Sequence, residues 1–97
     1  MLPNNGYQIA TGTAINLTLP TTSVFGQQIN IMGFGGGLWT IVQGAGQQVI
    51  IGTLSSTVGV SGNVAATTAT DSLVLICAED NLTWQILGGP QGNLLID

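Results

Sequence analysis

The sequence predicts an all-β domain, built as a small β-sandwich, barrel or β-prism-like unit of short antiparallel strands, and three observations carry that expectation. Apolar and polar residues alternate in "TAINLTLP" and "QQINIMG", the period of a strand with one buried face. Nowhere do apolar residues recur at i, i+3, i+4 and i+7, and the usual exposed helix formers are nearly absent, with no Lys, no Arg and Glu79 as the lone Glu. Finally, a pattern is written twice, as "WTIVQGAGQQVII" from Trp39 to Ile51 and "WQILGGPQGNLLI" from Trp84 to Ile96.

The two copies share one offset of 45 residues, which sets Trp39 on Trp84, Ile41 on Ile86, Gly44 on Gly89, Val49 on Leu94 and Ile51 on Ile96. Each reads as a β-hairpin, two apolar runs around a Gly-containing turn. The same offset aligns "SLVLICA" with "QINIM", dividing the chain into two imperfect halves, about 7–51 and 52–96, within one domain spanning 1–97.

In chain order, Tyr7 to Ala10 is a short first strand. In "TAINLTLP", Ile15, Leu17 and Leu19 face one way, Asn16 and Thr18 the other, and Pro20 ends the strand. After "TTSVFG", Ile29 and Ile31 mark the next strand. The run "GFGGGLW" is a glycine hinge suited to a tight crossing, since glycine accepts close backbone approach. The Thr-, Ser- and Gly-rich stretch from Gly52 to Ser72 reads as short strands and turns with apolar positions at Val58, Val60 and Val64. "SLVLICA" is more continuously apolar than its counterpart and is therefore expected to be the more central strand.

Composition excludes whole classes of function. The chain has 97 residues, no Lys, Arg or His, and only Asp71, Glu79, Asp80 and Asp97 as acids, for a net charge of −4. Nucleic acid is excluded as a partner because phosphates need cations, and anionic membrane surfaces fall with it. No apolar run approaches the length of a membrane span, so membrane insertion is not expected. The N-terminal "MLPNNGYQIA" lacks a basic region followed by a long apolar one, so no signal peptide is expected there, in keeping with a fragment of a longer secreted or virion protein. Without His there is no Ser/His/Asp triad and no His-ligated metal, and the single Cys77, in "SLVLICAE", reads as a buried small hydrophobe. Adjacent Glu79 and Asp80 point to opposite faces of an extended chain and are poorly placed to flank one bond. Asp71, Glu79, Asp80 and Asn81 lack the loop spacing of a calcium site. No catalytic residues, no metal and no cofactor are expected.

The large flat surfaces are Trp39, Trp84, Tyr7, Phe25 and Phe34. As ligand-binding candidates Trp39, Trp84, Tyr7 and Asn81 are weighed against packing, which is favoured for the tryptophans because a small β-domain needs their area. Asn and Gln read as ordinary solvent-facing residues, replacing the missing charge, and "NLT" sequons stand at Asn16 and Asn81. Exposed apolar strands and edges, without interspersed charge to keep neighbours apart, point to burial between identical subunits.

The runs "GLWTIVQGAGQQVIIG" and "TVGVSGNVAATTATDSLVLICAEDNLTWQILGGPQGNL" resemble a module of phage tail-fibre proteins and related bacterial or viral surface fibres and adhesins, over roughly residues 12–95. The positions that carry the resemblance are Trp39, Gly46, Gln47, Asp71, Cys77, Asn81, Thr83, Trp84, Gly92 and Asn93. The resemblance implies a non-enzymatic, homotrimeric β-structured fibre domain on a virion or bacterial cell surface, which binds a glycan or protein of a host or prey cell. The absence of basic residues, unusual beside such modules, argues against ligands that need a cation, acidic sugars and lipopolysaccharide phosphates among them. A monomeric carbohydrate-binding module with Trp39 or Trp84 as sugar platform is the rival reading, and an ice-binding protein, suggested by "TGT" and "TAT", a weaker one.

Overall fold

The structure, a computed structural model, describes all residues from Met1 to Asp97. Ten strands form: β1 (Asn5–Ile9), β2 (Ile15–Thr18), β3 (Gln28–Gly33), β4 (Trp39–Val42), β5 (Gln48–Ile51), β6 (Leu54–Ser55), β7 (Asn63–Ala66), β8 (Ser72–Glu79), β9 (Thr83–Ile86) and β10 (Leu94–Ile96). They build a six-stranded sheet in the order β1-β3-β8-β9-β5-β6 and a four-stranded sheet in the order β10-β7-β4-β2. The two sheets enclose one core of 15 buried residues, so the all-β sandwich is the observed form. No helix of the molecule is long and apolar enough to cross a membrane.

The alternation read from sequence places the core directly. In β3, Ile29 and Ile31 are buried and Gln28, Asn30 and Met32 exposed. In β8, Leu73, Leu75 and Cys77 are buried while Val74 and Ile76 are half-buried on the outer face, as a strand third in a six-stranded sheet requires. Cys77 is a free, buried thiol against the Ser23 hydroxyl at 3.3 Å.

The expectation of antiparallel strands is corrected to mixed sheets. β1 pairs with β3 and β2 with β4 in parallel, each joining residues 24 apart (7 with 31, 15 with 39), so the first half winds as two turns of a coil. β5 and β9 are parallel as well. The glycine hinge makes this winding possible. Gly36 and Gly37 press so closely on the backbone of Ile9 to Ala14 that neither has room for a Cβ, and the chain crosses there from β3 in one sheet to β4 in the other.

The paired Trp tracts are not hairpins. β4 lies in the four-stranded sheet and β5 in the six-stranded one, and β9 and β10 are divided in the same way, in reverse. Two buried glutamines explain the first crossing. Gln43 Nε2 donates to the carbonyls of Gln47, Thr57 and Gly59 at 2.8, 2.9 and 3.0 Å, and its Oε1 accepts from the Ser56 hydroxyl. Gln47 Oε1 accepts from Gly44 N at 2.7 Å while its Nε2 donates to the carbonyls of Pro20 and Asn81. These bonds brace the turn and tie it to three other segments, and they correct the reading of glutamine as solvent-facing at Gln43 and Gln47, whereas Gln8, Gln28, Gln85 and Gln91 are exposed. Three strand pairs keep the 45-residue offset, β3 with β8, β4 with β9 and β5 with β10, and the other four strands do not; β3 pairs antiparallel with its own counterpart β8. Elsewhere their pairing differs: β4 sits between β2 and β7, β9 between β8 and β5.

Removing the amide of Gln43 leaves Thr57 O without a donor and the Ser56 hydroxyl without its acceptor, and takes a second donor from Gln47 O and Gly59 O, which keep the N–H groups of Gly59 and Gly62. Gln43→Leu is therefore expected to destabilise the domain by about 2–4 kcal/mol, read as a lower denaturant midpoint at unchanged slope.

Candidate functional site

The outer face of the six-stranded sheet carries a groove of about 520 Å³ where β3 ends and β8 begins. The pleat sends Asn30 and Met32 outward from β3, and the antiparallel register sets Val74 opposite Asn30 and Ser72 opposite Met32. One wall is the chain beyond β9. Leu87 N donates to Val74 O, and Gly88 and Gly89 then turn with φ of +78° and +73°, a conformation that favours glycine. Gln91 closes the wall, exchanging backbone hydrogen bonds with Ser72 at 3.0 and 2.9 Å. A shallower hollow of about 240 Å³ shares Asn30 and Met32 and extends to Gly6, Tyr7 and Gln8 of β1.

No charged residue lines either depression. The floor is aliphatic and thioether, from Met32, Val74 and Leu87, and the polar groups are the amides of Asn30 and Gln91. Ser72 Oγ accepts from Gly33 N and donates to Thr70 O, so its hydroxyl is already engaged and no base stands beside it. Such a lining suits reversible contact with an uncharged ligand that offers both hydroxyls and apolar faces. Glu79, Asp80 and Asp97, the exposed carboxylates, lie at the other end of the sandwich. Glu79 and Asp80 follow the β8 segment paired with the start of β3, and Asp97 O accepts from Thr57 N at that same end. Asp80 Oδ1 accepts from Phe25 N and Glu79 Oε1 from the Thr83 hydroxyl, while Asp71 sits at the groove end, so the four acids do not converge.

Of the four residues singled out from sequence, only Tyr7 borders the shallow hollow, and it stands on the parity of Ile31, packed against the core. It is half-buried, and its hydroxyl accepts from Leu2 N at 2.5 Å. Trp39 and Trp84 are fully buried and present no face to a ligand. Asn81 is exposed at the opposite end, in a left-handed conformation (φ +66°), with Oδ1 accepting from Ser23 N at 2.8 Å. Its side chain fixes the turn after β8 to the segment preceding β3. Asn30, Met32, Leu87 and Gln91 were not singled out from sequence. The alternation of β3 places Asn30 and Met32 on the outward parity, but only the pairing with β8 and the Gly88–Gly89 turn brings Leu87 and Gln91 beside them.

Beneath the groove end, Asp71 is 1% exposed and acts as a latch. Oδ2 accepts from Thr67 N, Thr68 N and the Thr67 hydroxyl at 2.8, 3.1 and 3.2 Å, and Oδ1 from the Thr68 hydroxyl at 2.5 Å. Its backbone carbonyl accepts from Trp39 Nε1 at 3.0 Å and Gly33 N at 3.1 Å. Burial pushes the carboxyl pKa up, but the bonds from Thr68 and Thr67 outweigh it and hold the group below the ordinary aspartate value. Comparisons with protein-family models, with curated proteins and with solved structures found no match to this chain.

Proposed function

We propose that this domain is a non-catalytic structural and adhesive module of a trimeric surface or tail fibre, displayed on a virion or bacterial cell, that recognises a neutral glycan through the groove between β3, β8 and the Leu87–Gln91 wall. The observation that carries the reading is the uncharged, amide-rimmed and apolar-floored groove, set at the end of the molecule away from its exposed carboxylates. The resemblance of the Trp tracts and the "DNLTWQ" turn to fibre modules supports the same reading. A glycan is favoured over a protein receptor because the groove is concave and small, whereas a standard protein interface takes roughly 800 Å² from each partner. The rival with Trp39 or Trp84 as sugar platform lacks an accessible indole.

The test is an array of neutral and acidic glycans followed by calorimetric titration of the strongest hit. Asn30→Ala and Leu87→Ala are each expected to weaken binding at least about tenfold, some 1.4 kcal/mol, with melting nearly unchanged because both side chains are exposed. A wild-type protein that binds no neutral glycan at millimolar concentration, or one whose hit is untouched by both substitutions, would sink the assignment.

A further inference from the structure

Asn30 of β3 and Val74 of β8 are register partners, and Leu87 stands opposite Val74 on the other side, one step beyond the pair of Leu75 with Ile86. The three side chains form one row across the outer face of the six-stranded sheet, neighbours about 4.8 Å apart, and Met32 flanks the row two residues along β3. On β1 the row ends in Gly6, which presents no side chain. Two features of this row bear on which neutral sugar the groove takes. No aromatic side chain lines it, and Trp39 and Trp84 are buried, so there is no flat platform for the C–H face of an unsubstituted hexose ring. The apolar surface consists instead of the methyls of Val74 and Leu87 and the thioether of Met32, a floor matched to a methyl-sized group. Beside that floor stands a primary amide, which both donates and accepts: the Asn30 side chain is exposed and turned outward, free of any partner within the domain. Gln91, at the wall, is held to Ser72 through its backbone, which leaves a second amide facing the ligand.

Resting on the neutral-glycan reading above, we propose that the groove selects the N-acetyl group of an N-acetylhexosamine. That substituent joins a methyl to an N–H donor and a carbonyl acceptor through a single carbon. With its methyl on Val74, Leu87 and Met32, its polar atoms face the Asn30 amide one strand spacing away, and the ring hydroxyls are left to Gln91 and water. A hydroxyl in the same place has nothing to lay on the floor and leaves those methyls wet. A 6-deoxyhexose brings a methyl but no amide to meet Asn30. N-acetylated acidic sugars are disfavoured, because a chain of net charge −4 without Lys, Arg or His has no cation to set against their carboxylate.

The test is calorimetric titration of the full chain with sugars that differ only by acetamido against hydroxyl: N,N′-diacetylchitobiose against cellobiose, and methyl N-acetylgalactosaminide against methyl galactoside, with methyl fucoside as the 6-deoxy comparison. The acetamido member of at least one pair is expected to bind at least about tenfold more tightly than its hydroxyl counterpart, the low end of what one methyl-sized group gains in an apolar site, and more tightly than the fucoside. Val74→Thr keeps the side-chain shape and exchanges a methyl for a hydroxyl. It is expected to lower that ratio by about threefold or more while the hydroxyl member binds as before, with the buried-Trp fluorescence of the wild type showing the core intact. Neutral sugars that bind without preference for the acetamido member, a fucoside that matches it, or a ratio unmoved by Val74→Thr overturn the N-acetyl assignment and leave the glycan reading standing. So does an array hit that lacks an N-acetyl group when neither acetamido sugar binds. A chain that binds no neutral glycan at all overturns the glycan reading itself, and this assignment with it.

Discussion

Replacing Trp39 or Trp84 by Ala is expected to destabilise the domain by about 3–5 kcal/mol per site, enough to unfold a protein of ordinary small-domain stability. Both indoles are fully buried, and they occupy different parts of the core. Trp39 donates to Asp71 O, the carbonyl that also receives Gly33 N at the end of β3. Trp84 pairs with Cys77 and Val49, level with the start of β3, where Gln28 faces Ile76. One indole therefore fills each end of the space between the sheets, which gives the repeated Trp a packing reason. Phenylalanine separates the two sites. Trp39→Phe loses a hydrogen bond as well as volume, whereas Trp84 Nε1 has no hydrogen-bond partner in the interior, and Trp84→Phe removes that unpaired donor. Trp39→Phe is thus expected to lower the urea midpoint more than Trp84→Phe, measured at one fixed protein concentration. Equal losses would mean that the indole hydrogen bond to Asp71 contributes nothing.

The core was legible in the sequence because its cause is local. Ile29 and Ile31, Leu17 and Leu19, and Leu73, Leu75 and Cys77 alternate with polar or less buried neighbours, and period-2 alternation is sufficient to say which face of a strand is inside. The central place of β8 followed from Val74 and Ile76, apolar residues on the parity that an exposed strand would make polar. Partner choice was not legible. A run such as "WTIV" carries no mark of which sheet it joins, and the expected hairpin gave way to a crossing held by the side chains of Gln43 and Gln47, whose acceptors at Pro20, Thr57, Gly59 and Asn81 are distant in sequence. Glutamine in a Gly-rich turn looks like surface until those carbonyls are placed around it. The groove was hidden for the same reason, since Asn30 and Gln91 become neighbours only through the pairing of β3 with β8 and the bridge from Ser72 to Gln91.

Asp71→Asn is expected to destabilise the domain by about 3 kcal/mol or more, because the carboxylate accepts from two backbone N–H groups and two hydroxyls and an amide in its place turns a donor toward donors. The pH dependence follows from the direction of its shift. A folded-state pKa below the unfolded value of about 3.9 means that the unfolded chain takes up the proton first. The stabilisation is therefore complete above the unfolded value and is lost as pH falls through the lower folded one. Wild-type protein should lose stability on acidification below about pH 4, and Asp71→Asn should show a flatter profile over that window. Gly92 gives an independent check. A Cβ at that position would collide with the Asp71 carboxylate, and its φ of +105° disfavours any L side chain, so Gly92→Ala should destabilise through both effects. In an Asp71→Ala background the collision disappears and only the backbone strain remains, so the double substitution should lose clearly less than the sum of the two single ones. Strict additivity in denaturant melts, or an acid limb unchanged by Asp71→Asn, would show that the carboxylate does not latch the Thr67–Thr68 turn to the chain at Gly92.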